Sequence, residues 1–148
     1  MKTLRSRFQI VGIFIVLLAV LTGCSSFNRD WKKAASVSPS DIQGRWEGTW
    51  VSQANGHSGK LRCLLEKLSD NSYCARFDST YKKVLHFKST VDINGSVTND
   101  VFLFSGEAKL PWWAGGIYDY EGKVSATDFF STYKCKYDHG TFQMTRPE

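Results

Sequence analysis

The sequence predicts an all-β protein, an eight-stranded antiparallel up-and-down barrel that follows a cleaved signal peptide and a short tether. Three observations lead to this fold class. An apolar run ends at a cysteine near the N-terminus, apolar residues alternate with polar ones from residue 44 onward, and turn-forming clusters divide that part into short segments. Alternation with a period of two is what half-buried strands require, whereas an amphipathic helix repeats every 3.6 residues or so.

The N-terminal 23 residues have the three parts of a secretory signal. Three basic residues come first, an unbroken apolar run over 10–21 follows, and Thr22-Gly23-Cys24 places small residues before a cysteine. The run is shorter than the roughly 20 apolar residues that a membrane-spanning helix needs. The sequence therefore predicts a cleaved signal peptide, and the resemblance described next implies that it covers 1–23 and that cleavage falls before Cys24.

Leu21-Thr22-Gly23-Cys24 resembles the lipobox of bacterial lipoproteins. The resemblance implies that Cys24 is acylated on its sulfur and on its new amino group, which anchors the chain in a membrane. Ser25, rather than Asp, implies the outer membrane, facing the periplasm, if the host is Gram-negative. The alternative is an ordinary secreted protein with a coincidental cysteine. Residues 24–43 are expected to form the tether, and a solvated linker is favoured over a short helix at 28–36.

The charge and the cysteines exclude two classes of function. Of the net charge of +5, three units lie in the signal, so the remainder carries only +2 and has no basic stripe for nucleic acid. Cys63, Cys74 and Cys135 have no metal-ligand spacing. An exported compartment permits disulfides. Cys63 shares a face with core residues, so we expect it to be a buried thiol. If a disulfide forms, Cys74–Cys135 is therefore the favoured pair.

The domain over 44–148 divides into eight predicted strands, at 44–52, 59–68, 72–79, 84–93, 99–109, 116–124, 129–137 and 140–146. Clusters such as Asn55-Gly56, Asn94-Gly95 and Asp138-His139-Gly140 separate them, and the prolines fall outside strand interiors. Short sequential connections favour a meander that closes into a barrel and so removes both edges. A two-sheet sandwich is the alternative.

The residues expected to share the inward face are, in strand order, Trp46 and Trp50; Leu61, Cys63 and Leu65; Tyr73, Ala75 and Phe77; Leu85, Phe87, Val91 and Ile93; Phe102, Phe104 and Ala108; Tyr118, Tyr120 and Val124; Phe129, Tyr133, Cys135 and Tyr137; Phe142, Met144 and Arg146. The outward face carries polar residues such as His86, which is expected to be solvated.

Gly44-Arg45-Trp46 opens the first strand, and Arg146 lies on the same face at the end of the last. This pattern resembles that of the calycins, the lipocalin-like and avidin-like barrels. The resemblance implies that the Arg146 guanidinium packs over the indole of Trp46 and joins the first strand to the last. Such a contact stabilises by about 0.5 to 2 kcal/mol.

Alternate loops of an up-and-down barrel lie at opposite ends. The loops at 53–58, 80–83, 110–115 and 138–139 should therefore share the end away from the tether. They supply the candidate ligand-binding residues, which are His57, Tyr81, Trp112, Trp113, Tyr137, Asp138 and His139. An eight-stranded barrel is just wide enough to be filled by side chains or to hold one small ligand at its mouth.

Each candidate also has a structural interpretation. Trp112-Trp113 could fold inward as a plug, His57 and Asp138 could stabilise turns, and His139 could face solvent. A metal site from His57, Asp138 and His139 is less favoured, so neither a metal nor another cofactor is expected.

The sequence contains no nucleophile elbow, HExxH, P-loop or paired-carboxylate spacing, and Glu47, Glu107 and Glu121 stand alone among strand residues. We therefore expect a non-catalytic envelope lipoprotein that binds a small apolar or aromatic ligand at the barrel mouth. The alternative is an interaction or structural protein with a filled barrel, which binds an envelope protein through the same rim.

Overall fold

The protein is an eight-stranded antiparallel barrel. The computed structural model describes residues 26–38 and 41–148. Each strand pairs with the next along the chain, and β8 pairs with β1, so the barrel is closed and the predicted fold class is confirmed. The strands are β1 (Gly44–Ser52), β2 (Ser58–Ser69), β3 (Ser72–Tyr81), β4 (Leu85–Thr98), β5 (Val101–Lys109), β6 (Ile117–Val124), β7 (Asp128–Lys134) and β8 (His139–Thr145).

The described residues fall into two compact units, with the boundary between Ser36 and Val37. In the first unit, residues 26–34 are helical. The rings of Phe27 and Trp31 stack with their centroids 5.9 Å apart, because residues four apart lie on one helix face. The prediction of a solvated linker over these residues was therefore wrong. The predicted signal peptide and Cys24 lie outside the described residues.

One predicted turn is misplaced. Asn94-Gly95 lies inside β4, and the chain reverses instead at Asn99 and Asp100, whose φ angles are 51° and 62°. Two successive left-handed residues are what a two-residue hairpin turn requires. Gly95 is needed for packing, since a Cβ there would lie 1.8 Å from the carbonyl oxygen of Leu103.

Aromatic side chains fill the barrel interior. Phe77 of β3 lies with its ring centroid 6.1 Å from Tyr120, 6.3 Å from Phe129 and 5.2 Å from Phe142, which belong to β6, β7 and β8. All four side chains are buried, so the rings meet across the lumen. The interior is thus a packed core at this level, and the predicted inward parity of these strands is correct.

The end of the barrel where β1 begins is closed. The Arg146 guanidinium lies 3.9 Å from the centroid of the Trp46 ring, the contact that the sequence pattern predicts. The Trp46 indole is fully buried and its N–H donates to the Ile42 carbonyl at 2.9 Å. Burial lowers the pKa of Arg146. Gly44 has a φ of 99°, a backbone conformation that favours glycine.

Backbone carbonyls complete this closed end, which we define by residues 41–46 and Arg146. The Arg146 guanidinium donates to the carbonyl oxygens of Gln43 at 2.6 Å, Asp41 at 3.0 Å and Arg45 at 3.3 Å. The Tyr73 hydroxyl donates to the Asp41 carboxylate, and burial together with that carboxylate raises the pKa of Tyr73. The segment that leads into β1 is therefore fixed across the barrel end.

Cys63, Cys74 and Cys135 are free thiols. Cys63 is completely buried, and burial raises its pKa well above the usual value. Cys74 lies near the start of β3 and Cys135 follows β7, which places them toward opposite ends of the barrel. The favoured Cys74–Cys135 bridge was therefore wrong. The pair was favoured only because Cys63 was set aside as a core residue, and the order of the strands keeps the two remaining cysteines apart.

Candidate functional site

Four connections form the end of the barrel opposite the closed end. They are residues 53–57, 82–84, 110–116 and 135–138, and we call this end the mouth. The closed up-and-down topology brings every candidate ligand-binding residue to the mouth or to the strand ends beside it. These side chains differ in their contacts and in their exposure to solvent.

His57 and Tyr81 contact each other at the mouth. Their ring centroids lie 5.2 Å apart, and the Tyr81 hydroxyl is 3.4 Å from His57 Nδ1. The Trp50 ring lies 6.2 Å from that of Tyr81, and the Trp50 indole N–H donates to the Thr80 carbonyl at 3.1 Å. The Asn55 side chain accepts from the His57 backbone N–H at 2.9 Å, so the predicted turn-stabilising contact is also present.

Asp138 turns into the barrel and connects three strands. Its carboxylate accepts hydrogen bonds from the Ser52 hydroxyl at 2.5 Å and the Tyr133 hydroxyl at 3.2 Å. Its carbonyl oxygen accepts from the Cys135 backbone N–H at 2.8 Å, which closes the β7–β8 turn. Burial and the nearby Asp138 carboxylate raise the pKa of Tyr133. Because both carboxylate oxygens of Asp138 already accept hydrogen bonds, this side chain is a structural link.

Trp112 and Trp113 project from the mouth. They lie on a single 3-10 turn (Trp112–Ala114) and are 83% and 72% exposed. The Leu110 backbone N–H donates to the Gly116 carbonyl at 2.9 Å, which holds the ends of this loop together. At Gly115, with a φ of 106°, a Cβ would lie 2.7 Å from the Tyr118 ring. The inward plug is excluded by the exposure of both indoles.

The remaining candidates face solvent. Tyr137 was expected on the inward face, but β7 ends at Lys134 and Tyr137 is exposed in the connection that follows, with Lys136 Nζ 5.2 Å from its ring centroid. His139 occupies the outward parity of β8, opposite Lys134, and is also exposed. Its carbonyl oxygen accepts from the Gln53 backbone N–H at 2.8 Å, so its backbone stabilises the mouth.

Sequence reasoning missed the exposed apolar side chains beside the β3–β4 connection. Leu85 and Phe87 have the inward parity of β4, yet Phe87 is 59% exposed, and Val84 and Leu85 are also exposed. Phe87 pairs with Ser79, one inward position above Phe77. The packed core ends at Phe77, so an inward residue beyond it meets solvent. The sequence did contain a signal for this exposure. The turn falls at Lys82-Lys83, far enough beyond Phe77 that β3 and β4 both extend past the packed core.

Two inward aromatic side chains at the mouth are only partly buried. In a closed barrel, inward side chains are exposed only where solvent enters through an end. Trp50 and Tyr118 pack against the core but are partly exposed, whereas their cross-strand partners Phe142 and Ala108 are buried. Burial and a hydrogen bond with Cys135 raise the pKa of Tyr118. We call this solvent-reached part of the mouth, bordered by Trp50 and Tyr118, the recess.

Two polar groupings lie on the outer wall, outside the recess. His86 is exposed on the outward face, as expected, and its Nδ1 is also 2.9 Å from the buried carboxylate of Asp78, which accepts from Arg62 at 2.6 Å. Burial alone would raise the pKa of Asp78, but the hydrogen bonds from His86 and Arg62 outweigh it, and the pKa is lowered.

The second grouping is acidic. Sheet pairing places Glu107 opposite Asp92 and Asp119, so Glu107 is not isolated as the sequence suggested. With Glu121 and Lys134 these carboxylates border an outer groove of about 700 Å³. Like charges directly opposite each other destabilise a sheet, and Lys109, 3.8 Å from Glu107, offsets part of this repulsion.

Comparisons with known proteins give no match: no protein-family model, curated protein or solved structure matches this chain. Within residues 26–38 and 41–148, no group of three or more His, Cys, Asp or Glu side chains is placed to hold a metal ion. In the same residues, no helix has the length and apolar character to cross a membrane.

Proposed function

We propose that this chain is a non-catalytic envelope lipoprotein with a calycin-like barrel, which binds a small apolar or aromatic ligand at its mouth. The observation that carries the binding proposal is the asymmetry of the barrel. Residues 41–46 and Arg146 close one end, whereas partly buried aromatic side chains line a recess at the other. Pockets with apolar walls and a few fixed polar groups are typical of small-molecule sites.

The lipoprotein part rests on Leu21-Thr22-Gly23-Cys24, and outer-membrane localisation rests on Ser25. Substitution Cys24→Ser is expected to abolish incorporation of labelled palmitate and to leave the uncleaved precursor in the inner membrane. Metabolic labelling followed by immunoprecipitation measures both effects. Normal labelling of the Cys24→Ser variant would contradict the assignment.

The ligand part is tested at the exposed indoles. Trp112→Ala or Trp113→Ala is expected to weaken binding of an apolar aromatic dye about tenfold, because each removes a large contact surface at the mouth. His57→Ala should have a smaller effect, about 1 kcal/mol or less from a lost hydrogen bond. Dye fluorescence titration measures the dissociation constants, and circular dichroism checks the fold.

Two matched controls sharpen this test. His139→Ala replaces an exposed residue on the outward face at the mouth. Asp70→Ala replaces a residue of the β2–β3 connection, at the closed end. Both should leave dye binding unchanged. Equal weakening by Asp70→Ala and Trp112→Ala would mean that the dye does not bind at the mouth.

The packed interior favours a second candidate function. The rings around Phe77 leave a ligand only the recess, and two indoles project from the rim. A protein partner in the envelope could use the same rim without any ligand. Dye binding that is undetectable in the wild type, with capture of a partner that depends on Trp112 and Trp113, would support this alternative.

A further inference from the structure

Exposed apolar side chains are concentrated at the mouth. Their exposed fractions run from 52% for Ile117 to 83% for Trp112, and the set comprises Val84, Phe87, Trp112, Trp113, Ile117 and Tyr137. We call these six side chains the apolar rim. The closed-end connections at 70–71, 99–100 and 125–127 contain no large apolar residue, and Leu68 and Val97 are the exposed apolar side chains on the strand ends beside them. A concentration of this kind marks a surface that meets another apolar phase.

Charge follows the same division. The mouth connections carry three lysines, Lys82, Lys83 and Lys136, and one carboxylate, Asp138, which accepts hydrogen bonds inside the barrel. The closed-end connections carry Asp70 and Asp100 and neither lysine nor arginine. The mouth connections are therefore net positive and the closed-end connections net negative, although the closed end also carries Arg45 and Arg146.

Two of the three lysines lie over aromatic rings at the mouth. Lys82 Nζ is 5.3 Å from the centroid of the Tyr81 ring, and Lys136 Nζ is 5.2 Å from that of Tyr137. In this arrangement the ammonium group of each exposed lysine makes a cation–π contact with its neighbouring ring. Tryptophan and tyrosine rings with neighbouring lysines are the side chains that settle at the headgroup level of a bilayer.

We infer that the mouth docks on a bilayer surface that carries anionic headgroups. The apolar rim enters the headgroup region, and Lys82, Lys83 and Lys136 contact the lipid phosphates. Each lysine near such a surface strengthens attachment about fivefold. A protein partner would need a patch both apolar and acidic, whereas any anionic bilayer offers both features. Docking does not require a ligand in the recess.

The test uses the full chain incorporated into phosphatidylcholine vesicles, mixed with a second population of vesicles that contains brominated lipid. The second population is either phosphatidylcholine alone or contains about a third phosphatidylglycerol. Bromine quenches tryptophan only on contact, so quenching reports contact with the second vesicles. We expect apparent partition into the anionic vesicles to exceed that into the neutral ones at least tenfold, and to fall as salt is raised.

Variants assign the contact to the rim. Lys82→Glu with Lys83→Glu should lower partition into anionic vesicles at least tenfold, and Trp112→Ser with Trp113→Ser should abolish it, as measured by vesicle co-sedimentation. The matched controls are Lys67→Glu with Lys123→Glu and Leu68→Ser with Val97→Ser, exposed positions nearer the closed end, which should change partition less than twofold. Near-ultraviolet circular dichroism verifies that every variant is folded.

Three outcomes would overturn the inference. They are equal partition into neutral and anionic vesicles, equal losses in the rim variants and their controls, and no binding to either vesicle at millimolar lipid. A dye titration without vesicles separates this inference from the proposed ligand site. Intact dye binding with no vesicle docking overturns docking alone, and intact docking with no dye binding overturns the ligand site alone.

Discussion

Replacement of Trp46 by alanine is expected to lower the free energy of unfolding by about 3 to 5 kcal/mol. The indole is completely buried, its ring contacts that of Phe129 edge-on at 5.9 Å, and Arg146 covers its other side. The substitution leaves a cavity and removes the indole donor from the Ile42 carbonyl. Urea unfolding followed by far-ultraviolet circular dichroism measures the loss.

A double-mutant cycle with Arg146→Ala tests closure of the barrel. Arg146→Ala alone should cost about 2 kcal/mol, since it removes the cation–π contact and charge-assisted hydrogen bonds to backbone carbonyls. The two losses should be non-additive, because they share one contact. Additivity within about 0.5 kcal/mol would mean that Trp46 and Arg146 do not stabilise each other, and that the strand ends are not joined there.

Phe77→Ala should be nearly as severe, with an expected loss of about 3 to 5 kcal/mol. The Phe77 ring occupies the middle of the lumen, within contact of Tyr120, Phe129 and Phe142. Truncation therefore opens a cavity that rings on three separate strands border. Because those strands are held by a continuous ladder, the walls can collapse only partly.

Phe87→Ala is the matched control for Phe77→Ala. It removes the same side chain from the same face of the sheet, but at a position 59% exposed at the mouth. We expect a loss below about 1 kcal/mol. Similar losses for Phe77→Ala and Phe87→Ala in the same urea experiment would show that the packed core does not end where the structure places it.

Much of the fold could be predicted from the sequence because its main signals are local or periodic. The period of two identified the inward face that Phe77 and Phe142 occupy, and turn chemistry gave most strand ends. The failures arose where tertiary packing overrides a local signal. Gly95 has the sequence context of a turn but serves the close approach of β4 and β5. The 26–34 helix brings the rings of Phe27 and Trp31 together, a contact that composition alone does not reveal.

The candidate site was predictable in its location but not in its contacts. The alternation of loops was enough to place Trp112 and His139 at the same end. No local pattern could show that Ser52 and Asp138, 86 residues apart, share a hydrogen bond. The sequence also contained no indication of how far the packed core extends along the barrel axis. That extent determines why Phe87 is exposed to solvent while Phe77 is buried.

Backbone NMR of the protein titrated with a small apolar aromatic compound tests most directly the proposal that binding occurs at the mouth. We predict chemical-shift changes in the mouth connections at 53–57, 82–84, 110–116 and 135–138. The indole N–H resonances of Trp112 and Trp113 should move with them, and the connections at 70–71, 99–100 and 125–127 should stay unchanged. The largest changes at the closed end, or along the outer groove beside Glu107 and Asp119, would contradict the proposal.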